Sequence, residues 1–509
     1  MLASILLGAL VTSYLLCPIW RVIYNVFLHP LAHFPGPWWA GATSYVEAYF
    51  DIMKGGQYFR KIEAMHARYG PIVRVSPEEL SIRDAEFYEH IYGSMSARRD
   101  LDTANARLNG SPTSVISTLD HEHHRLRRSP LLPFFSKQSV VRLEPFIWSR
   151  VNLLVEKLKH AHKTSSVIKA VDAYGALTSD VISHYAYGKT FDYLGNGSDL
   201  EFRNDYMQAI AALSFVSPIS LHFPLVVAIM KRLPQWLLQI LNPNIIRVNE
   251  LRRRCTDLAM KVLQTTSPGE KDVSEKPGTI FEALLSPSMP PEERTLERMT
   301  DEGFIITAAG LETTSRFLTN TTTHLLLNTD CLAKLRAELK TVMPAPGDCP
   351  PCSVLENLPY LSAVVAEGLR CETIFMTRFP RKLVEPLAYK DFTIPAGANI
   401  GCAPYLQNSN ADVFPEPERY RPERWIEARE RGENLGKYLA TFVKGGRMCL
   451  GINLAYTEMY LTIAAIFHNF DLEFVDSGLE NITTTRGYFF GFTDNYDWGV
   501  KFRVKNVLG

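Results

Sequence analysis

One stretch constrains this chain more than any other: Phe442-Val443-Lys444-Gly445-Gly446-Arg447-Met448-Cys449-Leu450-Gly451. It sets a cysteine at the mouth of a helix, because Leu454, Met459, Ile463 and Ile466 recur behind it at helical spacing. Amide N–H groups and the positive end of the helix dipole there favour a thiolate over a thiol. Glycines at 445, 446 and 451 permit a tight turn and let backbone approach a flat, bulky partner closely. Arg447, two residues before the sulfur, can pair with an acidic group on that partner. Such a cysteine is either a small buried hydrophobe in a glycine-rich turn or a ligand, and a thiolate held this way suits the axial position of haem iron.

Composition removes several function classes. Charge is balanced, with 54 basic and 54 acidic residues, so no nucleic-acid or bulk acidic partner is indicated. The eight cysteines are scattered, unlike a disulfide framework, which fits a reducing compartment. Cys349-Pro-Pro-Cys352 has redox spacing but lies in a proline-rich loop without a second ligand pair, so a structural reading is preferred.

Met1 to Trp20 carries no charged side chain, and a 20-residue helix spans about one hydrocarbon core. Residues 1–20 are therefore expected to form a single transmembrane anchor, and 21–37 a linker with a proline-rich hinge (His29 to Pro37) that lifts the body off the membrane. The catalytic domain is then 38–509. Arg21 as the first charge predicts a cytosolic body. Helix, turn and strand are expected from Ala64 to Ile82, and a helix from His121. His121, Glu122, His123 and His124 resemble a metal cluster, but only His121 and His124 share a face, so a basic solvated helix is the simpler reading. Leu213 to Met230 is a second charge-free stretch, interrupted by Pro218 and Pro224, and reads as an apolar lid dipping into a membrane surface. Thr265 to Gly278 and Pro287 to Glu293 read as loops.

A long helix is expected from near Leu296 to Leu327, with Ala308-Ala309-Gly310-Leu311-Glu312-Thr313-Thr314 at its middle. A mid-helix glycine costs about 1 kcal/mol, and threonine can divert a backbone carbonyl. The stretch is either a packing notch or room for a small molecule beside an acid and an alcohol that relay protons. Pro359 to Cys371 is helical by its pattern and pairs Glu367 with Arg370; its apolar surroundings imply burial, with Arg424 as a third member. Ile394 to Gly397 reads as a strand turn.

The first stretch reads F-x-x-G-x-R-x-C-x-G, and A-G-x-[DE]-T-[TS], E-x-x-R and P-E-R-W precede it in order at Ala309, Glu367 and Pro422. On these motifs the chain from Pro35 to Phe502 resembles the cytochrome P-450 family of haem-thiolate monooxygenases. His29-Pro30-Leu31, Tyr69 to Ile82 and Arg127 to Ser136 most resemble the fungal microsomal type, with trichodiene-oxygenase-like enzymes of secondary metabolism. The resemblance implies a mainly α fold with a smaller β-rich part, haem b held axially by Cys449, and a surrounding set of Phe442, Gly445 and Arg447. It implies further that His124 (where the family has tryptophan), Arg128 and Arg381 hold the haem propionates. Thr313 and Glu312 would be the catalytic alcohol and acid, and Glu367, Arg370 and Arg424 a structural triad.

Too little chain follows Cys449 for a flavin- or nicotinamide-binding domain, and no G-x-G-x-x-G opens a helix. Electrons from NADPH would thus arrive through a separate NADPH–cytochrome reductase, with Arg125, Arg127 and Lys444 as docking candidates. The implied activity is insertion of one oxygen atom into an apolar small molecule, of terpenoid type, at the endoplasmic reticulum membrane. The alternatives are a haem-thiolate isomerase or dehydratase using no dioxygen, and a non-catalytic haem protein. The pocket is expected from parts of Arg98–Leu119, Ala209–Phe223, Phe304–Ala309, Thr373–Phe379 and Gly487–Phe492. Four N-x-[ST] matches (Asn109, Asn196, Asn320, Asn481) carry no meaning for a cytosolic body.

Overall fold

The helices that shape the site are α1 (His121–Arg128), α2 (Ala170–Tyr187), α3 (Met207–His222), α4 (Ile245–Thr265), α5 (Leu296–Leu327), α6 (Pro359–Cys371) and α7 (Ile452–Asn469). They belong to a computed structural model that describes residues 16–508 apart from 94–96, 109, 196–199, 201, 203–205, 231, 242, 266–277, 346, 373 and 495–498. The fold is mainly helical, and α5 is its axis. The Thr295 side chain caps α5 by accepting from the Arg298 N–H, and Glu297 complements the dipole in its first turn. Its flanks are buried against α2, α4, α6 and α7. Gly310 permits the approach of α2, since a Cβ there would stand 2.6 Å from Ile182 Cγ1.

The β-rich part is a five-stranded sheet built from β1 (Ile72–Ser76), β2 (Glu79–Ile82), β3 (Arg99–Leu101), β4 (Arg381–Leu383) and β5 (Asn399–Gly401), in the order β1-β2-β5-β4-β3. The β2–β5 pair is parallel and the others antiparallel, so strands from both ends of the chain close one sheet. The Ile394–Gly397 turn leads from strand Phe392–Ile394 toward β5, with Gly397 at φ +86°. Two apolar cores follow from this division. One surrounds α5; the smaller lies under the sheet and includes Val73, Val75, Leu80 and Ile400.

The proline-rich hinge packs into that smaller core instead of standing off from it. Leu31 and Phe34 are buried, Phe34 stacks on Phe392 at 5.1 Å, and the Arg74 N–H donates to the Pro35 carbonyl at 2.7 Å. The stretch Leu213 to Met230 forms the end of α3, with Pro218 inside it, and a short helix Pro224–Met230 whose Leu225 and Ile229 are exposed. The loop expected over Thr265 to Gly278 falls almost wholly outside the described residues, and so do the first fifteen residues of the expected anchor. No described helix is long and apolar enough to cross a membrane.

Two histidines away from the cavity, buried His66 and half-buried His324, are held in their neutral form. Burial holds His66 down to about 4, with Arg83 adding to it against the Gly70 carbonyl. Burial likewise holds His324, stacked on Tyr420, at about 4. An unfolded histidine takes up a proton below about 6.5 and these do not until about 4. Stability is therefore present above pH 6.5 and lost as pH falls toward 4, at up to about 1.4 kcal/mol per unit for each histidine. Denaturant titrations of the native chain between pH 7 and 5 should show this slope, and His66→Gln should make it shallower; an unchanged slope in the variant contradicts the assignment.

Candidate functional site: a cysteine beneath a cationic cavity

The loop carrying Cys449 is closed by its own backbone. The Cys449 N–H donates to the Phe442 carbonyl at 3.0 Å, and the Met448 N–H to the Gly445 carbonyl at 3.0 Å. Val443 and Gly445 turn the chain with φ of +58° and +74°. At 445 only glycine fits, because a Cβ would lie 2.4 Å from the Tyr92 carbonyl oxygen and 2.5 Å from that of Gly93. Gly451 caps α7, which begins at Ile452. Phe442 leans on Tyr456, its ring 5.3 Å away.

The Cys449 thiol opens into an internal cavity of about 310 Å³ and not into bulk water. Burial pushes its pKa up, opposed by the Gly451 N–H and the charge of Arg128. The helix mouth and Arg128 thus act toward the thiolate as expected, against burial, and a bound metal ion would complete that change.

Basic groups converge on the same cavity. Arg128 and His124 come from α1, Arg381 opens β4, and Arg447 lies in the cysteine loop. Their hydrogen bonds go to carbonyls. Arg128 Nη2 donates to Met448 O at 2.9 Å, Arg447 to Thr118 O at 2.7 Å and Leu119 O at 2.9 Å, and Arg381 to Phe379 O at 3.1 Å. The Nε atoms of Arg128 and Arg447 are buried without a partner. Burial and Arg381 pull Arg447 down to about 9, and burial with Arg447, Arg128 and Arg381 pulls His124 down to about 2. Buried cations require an anion. A flat apolar group with two carboxylates, haem among such groups, satisfies both the three guanidiniums and the apolar walls.

Above the cysteine loop, Ala309, Gly310 and Thr313 of α5 face the cavity, and the Thr313 hydroxyl donates to the Ala309 carbonyl at 2.9 Å. Glu312 does not share that wall. It is 0 % exposed, its carboxylate has no hydrogen-bond partner, and Arg316 Nη1 stands 3.8 Å away. Burial pushes its pKa up to about 7 against the pull of Arg316. Three further acids line the cavity. Glu302 pairs with Arg298 and accepts from the Val115 N–H at 3.0 Å, Glu372 accepts from Asn320 Nδ2 at 2.8 Å, and Glu458 of α7 is held well above the carboxylate range by burial beside Thr314. Glu458 had a readable signal, a lone acid within an apolar helix, like Glu367.

The third set lies on the opposite side. Glu367 accepts from Arg370 Nε and Nη2, both at 2.8 Å, from Arg424 Nε at 3.0 Å, from Trp425 Nε1 at 2.9 Å and from the Arg421 N–H at 2.8 Å. Burial would raise its pKa, but the bonds and charges of Arg370, then the charge of Arg424, hold it below the usual range.

Two expectations need correction, the solvated Arg127 and the pocket wall from Ala209 to Phe223. Arg127 is not a free surface charge: it and His123 hold Glu293, with Arg127 Nε at 2.7 Å. Arg125 is exposed, and Lys444 lies 3.7 Å from Glu89. Among its described residues the segment Ala209–Phe223 lines a smaller adjoining pocket through Ser217, Pro218 and Leu221, not the main cavity. Among the described residues no His, Cys, Asp and Glu cluster could hold a metal ion, and Cys349 and Cys352 are unbridged. Asn320 is buried in α5, while Asn109 and Asn196 lie outside the described residues.

Comparison with known proteins adds an independent line. The cytochrome P450 family model matches residues 40–493. The chain is 38% identical to the cytochrome P450 monooxygenase SAT11 of Stachybotrys chartarum over 95% of this chain and 90% of the relative. It is 39% identical to the cytochrome P450 monooxygenase TRI4 of Fusarium sporotrichioides, covering 91% and 88%. It is also 39% identical to conidiogenone synthase of Penicillium rubens, covering 96% of each.

Removing the shared carboxylate should be costly, since it strands two buried guanidiniums. Glu367→Ala is expected to lower unfolding free energy by about 3–5 kcal/mol. Chemical denaturation measures this, and a loss below about 1 kcal/mol would show that the cluster is solvated.

Proposed function

The chain belongs to the cytochrome P450 family, and from that premise we propose that it inserts one oxygen atom into a terpenoid-type intermediate of fungal secondary metabolism, by hydroxylation or epoxidation, while anchored to the endoplasmic reticulum membrane. As a cytochrome P450 monooxygenase it works with haem and NADPH-derived electrons delivered through a reductase. The observation that carries the reading is one cavity holding a cysteine thiol, three guanidiniums that bond carbonyls and no carboxylate among the described residues, and the Thr313 hydroxyl.

In this reading Cys449 would ligate the iron through its sulfur, Arg128, Arg381, Arg447 and the neutral His124 would hold the two propionates, and Phe442 and Gly445 would shape the thiol side. Haem, when bound, activates dioxygen so that one atom enters the substrate and the other leaves as water. Thr313 presents a hydroxyl to the cavity. Glu312, poised near neutrality by burial, holds or releases a proton behind it. Glu367, Arg370 and Arg424 do no chemistry and keep the cysteine loop in register.

Substrate class rests on the walls. Leu101, Leu108, Ile116, Ile305, Phe375 and Phe489 are apolar, which favours a hydrocarbon skeleton over a sugar or nucleotide. Membrane attachment is supported by exposed Trp20, Phe27, Trp38, Leu225, Trp236 and Ile240, with Tyr45 stacked on Phe223 at 5.7 Å between the N-terminal part and the end of α3. The reductase would meet a surface that includes Arg125 and Lys444.

Microsomes containing this protein and a reductase, fed sesquiterpenes, diterpenes, polyketides and fatty acids under labelled dioxygen, test the proposal. NADPH-dependent gain of one labelled oxygen on a terpenoid is expected. Gain confined to polyketides or fatty acids overturns the substrate class, and binding without gain overturns the oxygenation. Thr313→Ala should keep its haem but yield less product per NADPH, and Glu312→Gln should slow turnover by about 10²-fold.

A further inference from the structure

Behind the cavity wall, Arg316 of α5 feels the charge of two buried carboxylates. It is 1 % exposed, and its 3.8 Å approach to Glu312, one turn earlier, is an ion pair too long for a hydrogen bond. Glu372, which follows α6, acts on the same guanidinium more strongly than Glu312 does. Two carboxylates that act on one guanidinium in a buried place compete for it. The closer Arg316 is held to Glu372, the less it stabilises a charged Glu312. No hydrogen bond to the Glu312 carboxylate offsets that competition.

The same guanidinium reaches the substrate side. Arg316 Nη2 donates to the Gly491 carbonyl at 2.9 Å. The Gly491 N–H donates to the Ile374 carbonyl at 2.8 Å, the Met376 N–H to the Phe489 carbonyl at 3.2 Å, and Phe375 bridges Phe490. These two strips supply Ile374, Phe375, Thr377 and Phe489 to the cavity wall. Two hydrogen bonds thus separate a wall strip from the counter-ion of Glu312.

We propose that Arg316 is a positioning residue that couples occupancy of the cavity to the ionisation of Glu312. A guest seated against the two strips fixes Arg316 on Gly491 and Glu372, leaving Glu312 protonated and ready to donate. An empty cavity lets the guanidinium relax toward Glu312, which then holds its negative charge. This rests on the reading of Glu312 as the proton donor, and it predicts that protons are supplied when substrate is in place.

The test reads Glu312 directly, through the infrared C=O stretch of its protonated carboxyl in the purified haem-loaded enzyme, assigned by its loss in Glu312→Gln. Titrated against pH, the band midpoint should fall by about one unit in Glu372→Gln, where Arg316 serves Glu312 alone. It should rise in Arg316→Lys, whose single ammonium cannot span both carboxylates and Gly491. It should rise also in Thr377→Phe, which fills the cavity against the strips. Equal midpoints throughout, or shifts of one sign in Glu372→Gln and Arg316→Lys, overturn the coupling. Should Arg316→Lys fail to fold, opposite shifts in Glu372→Gln and Thr377→Phe carry the proposal, and their absence sinks it. Midpoints that move as expected while the pH profile of turnover stays put would retain the coupling and refute Glu312 as donor.

Discussion

The Glu367 carboxylate is the contact on which the rest of the site depends. Five N–H groups from Arg370, Arg424, Trp425 and the Arg421 backbone converge on its two oxygens, in a place without solvent exposure. Such a cluster is no large source of stability compared with an apolar core, but it has only one satisfied arrangement. That arrangement ties α6 to the segment before the cysteine loop. Asn408 extends the tie: its side chain accepts from the Ala440 N–H at 2.9 Å and bonds Thr441, whose hydroxyl donates to the Leu369 carbonyl at 2.6 Å. The chain thus enters the Phe442–Cys449 turn from a fixed direction, and Val443 and Gly445 complete it.

What the fixed turn serves is a cavity with surplus positive charge. Arg128 arrives on the helix capped by Asp120, Arg381 on a sheet strand, and Arg447 on the cysteine loop, so the two cores must both be assembled before the three guanidiniums meet. Burial first, and the neighbouring guanidiniums after it, depress the pKa of Arg447 and His124, a cost in the chain alone that a dianionic partner removes. Binding of haem and closure of the fold are on this account one linked process.

Much of this was legible because long periodic elements and close-spaced motifs carry strong signals. The helix expected from near Leu296 to Leu327 spans those residues, α6 spans Pro359 to Cys371, and the suspected union of Glu367, Arg370 and Arg424 is found. The rest depended on which face of an element meets which neighbour. Glu312 adjoins Thr313 in sequence but lies about 100° round the helix, so one faces the cavity and the other Arg316. Arg127 reads as surface until Glu293, far along the chain, is brought to it. The role of Gly310 was undecided between a packing notch and room for a small molecule; it has the notch against Ile182 and a place on the cavity wall together. Glu312 is an i,i+4 neighbour of Arg316, but Gly491 and Glu372 come from distant segments that no local pattern could have joined to it.

The central claim is that Cys449 ligates haem iron in the cavity. The most direct measurement is the carbon monoxide difference spectrum of the reduced protein, native and Cys449→His, with haem content determined for each. The account predicts one haem per native chain with the red-shifted Soret band of a thiolate-ligated carbonyl complex, and its loss in the variant even where haem is retained. A native spectrum of imidazole type, or a thiolate band that survives Cys449→His, would contradict it.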